Sequence, residues 1–213
     1  MENKFSRRDI LKSSAGFAGL GMMGHRFQEA DIQAGLDLKG KVHHSACRWC
    51  YSDIPFEELV VNAKKIGLTS IELTGPEEWD ILKKHDMTAA IGWGKYPDGM
   101  GLPNFFNKVA NHDALVAFYE DLIPRAAKAG IKNLITFSGN RNGMSDEQGL
   151  MNCKKGLQRI MKTAERHDVT ISMELLNSKI NHKDYQADHT EWGAVLCEMV
   201  GSDKFKLLYD IYH

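Results

Sequence analysis

Apolar and polar positions change period in a regular way along this chain. Short apolar runs of strand length alternate with longer stretches whose apolar residues return every three to four positions. Residues 42–46 form the first strand-like run. Ile54-Pro55-Phe56-Glu57-Glu58 then opens a helix with proline near its first turn, and Gly67 is placed to cap its end. Residues 70–73 predict a strand, 76–85 a helix and 88–93 a third strand. The loop GWGKYPDGMGLPN follows, long enough to carry function. Residues 112–130 read as a helix, since Leu115, Phe118, Tyr119, Leu122 and Ile123 share one face. A strand over 133–137 leads into GNRNGMSDEQ, where Ser145 and Gln148 fit a capping box. A helix over 146–167, a strand over 169–175, a helix over 191–200 and a strand over 205–210 complete the pattern. Six strands with five intervening helices argue for a parallel sheet with helical crossovers, either an open doubly wound sheet or a (β/α) barrel. No glycine-rich phosphate cradle follows a strand, which weakens a nucleotide-binding reading.

Composition changes this picture little in the body of the chain. The 213 residues are 43% hydrophobic and 26% charged with a net charge of −1, enough for one core and no reason to expect a nucleic-acid partner. No stretch is long and apolar enough for an ordinary membrane-spanning helix. The start is different. Ser6-Arg7-Arg8-Asp9-Ile10-Leu11-Lys12, followed by SSAGFAGLGMMG, has the order of a twin-arginine export signal. Residues 1–38 are therefore expected to be signal and linker, residues 39–213 the barrel domain, and the protein to be periplasmic or otherwise extracytoplasmic. That route carries folded proteins, often with cofactor bound.

Four cysteines are present, two of them in the run Cys47-Arg48-Trp49-Cys50. Neither a second nearby pair nor histidines at ligand spacing complete a zinc site. An exported chain could oxidise Cys47 and Cys50, and a redox protein would need a thiol pKa well below that of free cysteine. The plain alternative is a turn at a strand end that faces a pocket.

In a parallel barrel, chemistry gathers at the carboxyl ends of the strands. Those ends carry His43 and His44, of which alternation lets only one face inward, together with Cys47 and Trp49; then Glu72; Trp93; Ser138, Gly139 and Asn140; Glu174 and Asn177; and Asp210 and His213. Glu174 ends an apolar strand, where a carboxylate without function is hard to accommodate, and Asp210 is similar. Two carboxylates from adjacent strand ends, with a histidine and an asparagine beside them, suit a hard or borderline divalent cation, Mg²⁺ or Mn²⁺ before Zn²⁺. The loop NHKDYQADH brings His182, Asp184, Tyr185 and His189 to the same side, with His182 and His189 read first as loop histidines. Glu72 reads equally as a rim residue. Trp49, Trp93 and Phe105 fit either a core or an aromatic wall at a sugar site, and Lys154, Lys155 and Lys162 a solvated helix face.

MELLNS, NHKDYQADHTEWG and FKLLYDIYH together resemble the hydroxypyruvate isomerase branch of the xylose isomerase-like barrels, and HHSACRWCYSDIPFEELVVNAKKIGLTSIEL is similar to the first βαβ unit of that branch. The resemblance runs from about Lys41 to His213. It implies a (β/α)8 TIM barrel that interconverts 2-hydroxyaldehydes or sugars with their ketone isomers through an enediol. Glu174 would be catalytic acid/base and metal ligand, and Asp210 a second ligand. His213 would hydrogen-bond a substrate oxygen and Asn177 would support the Glu174 loop; beside these, Trp49 and His182 are candidate contacts to a small sugar or hydroxyketoacid.

The family pattern also calls for a His or Gln after strand seven and a second Glu after strand eight, which this sequence lacks. A complete barrel takes about 250 residues, so the sequence is expected to be a barrel cut after strand six that turns over little by itself. A sugar epimerase or dehydratase of the same fold, and a non-catalytic exported sugar-binding remnant, are the competing functions. A DNA-repair endonuclease shares the architecture but would need a basic groove.

Overall fold

The computed structural model describes residues 42–213, so the expected export segment lies outside the described residues. Among the described residues, no helix is long and apolar enough to cross a membrane.

Among the described residues are five short strands and five helices, alternating except that α2 and α3 follow each other without a regular strand between. β1 (Ser45–Cys47) leads through a 3₁₀ turn (Arg48–Tyr51) into α1 (Phe56–Lys65), followed by β2 (Ser70–Glu72) and α2 (Trp79–Lys84). Then come α3 (His112–Ala129), β3 (Asn133–Thr136), α4 (Asp146–His167), β4 (Thr170–Glu174), α5 (Thr190–Val200) and β5 (Phe205–Leu208). β1 pairs with β2, and β3 with β4 and β4 with β5, all parallel.

The third strand expected at 88–93 is not a regular strand. It touches its neighbours at bridges, Ser70 with Thr88, Thr74 with Gly92, and Gly92 with Leu134. Those contacts still join the two sheets into one parallel array. The Leu73 N–H donates to the Ile91 carbonyl, and Gly92 both donates to Asn133 and accepts from Ile135. The reason is local crowding at Gly92: a Cβ there would lie 3.1 Å from Trp79 and 3.2 Å from both Ile131 and Leu134. The segment threads the gap between two helix-backed sheets, with a hydrogen to spare for side-chain approach.

The helices form the outer layer. α3 and α4 pack on each other and bury Leu115, Tyr119, Leu122 and Ile123 from one, and Leu157, Ile160 and Ala164 from the other. Their apolar faces follow from the spacing of these residues. Ser145 caps α4 by accepting from the Gln148 N–H, while the Gln148 side chain turns instead to Asn152, so only half of the capping box forms. α4 ends at Asp168 in the left-handed region (φ 55°), where glycine is the usual choice. Its carboxylate there meets Lys132, just before β3, and Lys204, just before β5, which ties the amino-terminal ends of the two strands that flank β4.

Candidate functional site

Above the carboxyl ends of the strands lies a cavity of about 1050 Å³. Glu72, Glu174, Asp210 and His213 line it, with Cys47, Trp49 and His182. Parallel register sets this arrangement, because Cys47 stands opposite Glu72 and Glu174 opposite Leu208, at the last rung of each pair. A carboxylate at the last rung leaves the sheet where no further strand atoms cover it.

Glu174, Asp210 and His213 converge. One ligand-capable atom from each lies within 4.8 Å of the other two. His213 Nε2 is 4.0 Å from Glu174 Oε1 and 3.9 Å from Asp210 Oδ2. On its other side, His213 Nδ1 accepts from the backbone N–H of Asn177 at 3.2 Å and faces the Asn177 side-chain amide at 3.0 Å. A backbone N–H can only donate, so Nδ1 carries no proton and the neutral ring holds its hydrogen on Nε2. His213 therefore points a donor at the two carboxylates. Burial, the main cause, lowers the pKa of the ring and so keeps it neutral.

Burial, and secondarily the charge of Asp210, pushes the Glu174 carboxyl up to about 7. In the metal-free chain, Asp210→Asn is therefore expected to lower the Glu174 midpoint, because it removes the repelling charge and leaves only burial. A carbon-13 NMR titration of the Glu174 carboxyl measures this, and an unchanged midpoint would show that the two carboxylates do not sense each other. A bound cation reverses the sign, since it favours the charged form of both. The donor set fits such a cation: two carboxylates offer hard oxygen ligands, as Mg²⁺ and Mn²⁺ prefer, and Zn²⁺ accepts them. His213 fits better as a hydrogen-bond donor in the tautomer that Asn177 imposes.

Other expected site residues fall in different places. Trp49 is 70% exposed at the cavity edge, as a sugar wall would be. Phe105 is fully buried, and it meets Tyr96, Phe106, Tyr119 and Phe137 edge to face, so it belongs to the core and not to an aromatic wall. Trp93 packs against Tyr96 outside the cavity lining. His43 and His44 are both exposed, so neither enters the barrel. His182 lines the cavity beside His213, with ring centroids 5.3 Å apart, whereas His189 is exposed and pairs with Asp188. Asn177 caps its own turn, accepting from Ile180 and Asn181, and orients His213. All four cysteines are free. Burial pushes the Cys47 thiol up to about 11, the opposite of what a redox thiol needs.

The loop over 177–189 lies against the loop after β3 as a strap. Tyr185 is fully buried behind Glu174: its hydroxyl accepts from the Ser138 N–H at 3.0 Å and donates to the Glu174 carbonyl at 3.1 Å. Gln186 donates to Gly139, Ala187 to the Ser138 hydroxyl, and Arg141 to the Asp184 carbonyl. Arg141 also pairs with Asp188 at 2.8 Å and with Asp146 at the start of α4. Asp188, only 5% exposed, helps hold this strap through Arg141, a support that the sequence reading missed. Its partner lies 47 residues away, and no local pattern joins them.

A family model described as a xylose isomerase-like TIM barrel matches residues 60–213. The chain belongs to this family. No curated protein matches it. Among solved structures, a family 2 AP endonuclease from Brucella melitensis is 17% identical with a TM-score of 0.70, over 81% of this chain and 70% of that one. The IOLI protein with a bound zinc atom is 14% identical with a TM-score of 0.64, over 81% and 64%. D-psicose 3-epimerase from Clostridium cellulolyticum H10, solved with D-tagatose, is 12% identical with a TM-score of 0.61, over 78% and 62%. At these identities the likeness concerns the fold, and the chain spans between 62% and 70% of the length of these structures.

Proposed function

We infer that this xylose isomerase-like barrel is an isomerase or epimerase of small sugars or hydroxyketoacids, in the manner of hydroxypyruvate isomerase, working by proton transfer through an enediol. The observation that carries this reading is the convergence of Glu174, Asp210 and His213 at the end of adjacent strands in a cavity of about 1050 Å³. The presence of epimerases among its structural neighbours supports it.

In the reaction, Glu174 takes the proton from the carbon beside the substrate carbonyl. Its carboxyl, poised near neutrality in the metal-free chain, can hold that proton and give it back. As negative charge grows on the carbonyl oxygen, His213 Nε2–H donates to it, and Asn177 holds the imidazole in the tautomer that makes this possible. A divalent cation held by Glu174 and Asp210 would supply charge neutralisation at the same oxygen. Tyr185 fixes the backbone at Glu174 and so the direction of its side chain. The test is exchange of substrate hydrogen with solvent deuterium at the carbon beside the carbonyl, followed by NMR. This half-reaction needs one base, whereas complete interconversion also needs a group that returns the proton on the neighbouring carbon.

The arginine pair near the start adds a location to this proposal: export by the twin-arginine route. Replacing Arg7 and Arg8 by lysines is expected to hold the protein in the cytoplasm. Cell fractionation measures it, and unaltered export of the double variant would sink the assignment.

A further inference from the structure

The wall opposite Glu174 carries a third carboxylate with a different setting. Glu72 ends β2, lines the same cavity, and is half-buried. The hydroxyl of Ser45 on β1 donates to its Oε2 at 2.7 Å. This neutral donor holds the carboxylate in one orientation and leaves its charge uncompensated. A carboxylate has about four acceptor positions, and Ser45 fills one. Arg48, which follows β1, is engaged elsewhere: it donates to Glu78 at 2.9 Å and to the Tyr51 carbonyl at 2.8 Å, and its guanidinium lies over the Phe56 ring. Among the described residues, no lysine or arginine lines the cavity. The surface between the carboxylates is apolar, made by Leu73, Ile91, Ile135 and Leu208, with Trp49 at the edge.

We propose that Glu72, anchored by Ser45, is the specificity-determining residue of this site: it accepts hydrogen bonds from substrate hydroxyls and restricts the cavity to uncharged polyhydroxy ketones, against carboxylate- or phosphate-bearing ones. A cation between Glu174 and Asp210 would neutralise those two groups, but it leaves the charge of Glu72 on a separate wall. β2 and β4 are three strand spacings apart, about 14 Å along the curved sheet and less straight across it, so a monosaccharide can meet both walls at once. A hydroxyl presented to Glu72 gains a charge-assisted hydrogen bond. A phosphate or carboxylate presented there meets a like charge in a partly desolvated place, where no arginine or lysine among the described residues lines the cavity to offset it.

This inference rests on the enediol reading for the use of the cavity and, of the two substrate classes named there, selects the sugars and excludes the hydroxyketoacids; it is tested by binding rather than turnover. Saturation-transfer NMR and calorimetry on the 213-residue protein, with EDTA and again with Mg²⁺, would compare D-tagatose and D-fructose with hydroxypyruvate and D-fructose 6-phosphate. The uncharged sugars are expected to bind more tightly than the anions. Glu72→Gln, which keeps the shape, is expected to weaken sugar binding about tenfold, and Glu72→Lys to reverse the preference toward the anions. Ser45→Ala, which leaves the charge in place but frees its orientation, is expected to weaken sugar binding by a smaller factor and to keep the order. Anions binding as tightly as the neutral sugars, absence of sugar binding, or a Glu72→Gln protein that folds and binds as before would each overturn the proposal. Sugar binding without deuterium exchange would defeat the enediol reading and leave this one standing.

Discussion

Replacing Glu174 by glutamine is expected to slow solvent-deuterium exchange beside a ketose carbonyl by about 100- to 10,000-fold, the usual contribution of a positioned general base. Glutamine keeps the shape and cannot take the proton. Its amide also loses the charge that would help Asp210 hold a cation, so Mn²⁺ affinity, read by electron paramagnetic resonance, should fall in the same variant. The two readouts separate the roles. Lost exchange with retained Mn²⁺ binding assigns Glu174 to proton transfer alone, and exchange at the wild-type rate would remove it from the chemistry. The loss should not come from unfolding. The Glu174 backbone is held by the Tyr185 hydroxyl and by pairing with Leu208, and neither contact uses its side chain.

Arg141→Met is expected to be the most damaging change to stability away from the chemistry, costing about 3 kcal/mol, within the range for breaking a buried ion pair. In a chain of this size that lowers the melting temperature by about 10 °C. Arg141 is 24% exposed and Asp188 5% exposed, so the variant leaves a nearly buried carboxylate with only its remaining partners, among them His189. Burial by itself would raise the Asp188 pKa, but its hydrogen bonds and the charge of Arg141 outweigh burial and hold it below the usual range. The sign of the pH dependence follows. A depressed carboxylate stabilises the fold above its unfolded pKa of about 4, and that contribution is lost as pH falls through the folded value. The gap between wild type and Arg141→Met should therefore be full at neutral pH and close in acid, as thermal melts across pH would record. Arg141→Met combined with Asp188→Leu should recover most of the loss, because the uncompensated charge is then gone. A single variant as stable as wild type would show that the pair contributes little.

The alternating fold was legible because each helix carries its own apolar stripe and each strand its own short run. Asp146–His167 and Thr190–Val200 appear within a residue of the expected bounds. The segment at 88–93 was readable as a strand by its apolar content, but its pairing is set by Trp79, Ile131 and Leu134, which come from elsewhere in the chain. At the candidate site, Glu174, Asp210 and His213 could be read from the sequence because Glu174 ends a buried strand and Asp210 and His213 follow the apolar run of the next strand, a local signal. Phe105 could not be separated from a cavity aromatic, since an aromatic after a glycine-rich loop looks the same whether it turns inward or outward. The strap's dependence on Arg141, Asp188 and Gln186 was not visible, because each contact joins residues at least 40 positions apart. Sequence reading finds residues that announce their own role, and it misses residues whose role is to hold another.

Gly149 shows what the strap implies for the history of such a site. A side chain there would have its Cβ 2.4 Å from Gln186 Cδ, so the first turn of α4 admits the strap only where it is bare. With the strap already ordered against α4 and the loop after β3, a ligand does not have to organise it on arrival, and binding carries no entropy charge for this segment. The same rigidity narrows what can change. Lys179, Ile180 and Lys183 are exposed and free to vary, while Asn181 lines the cavity and accepts from Asn177 and Tyr212, and Tyr185, Gln186 and Ala187 are buried against their neighbours. Substitutions on the opposite bank of the cavity, around Trp49 and Glu72, should therefore change the cavity lining without loosening the strap behind Glu174.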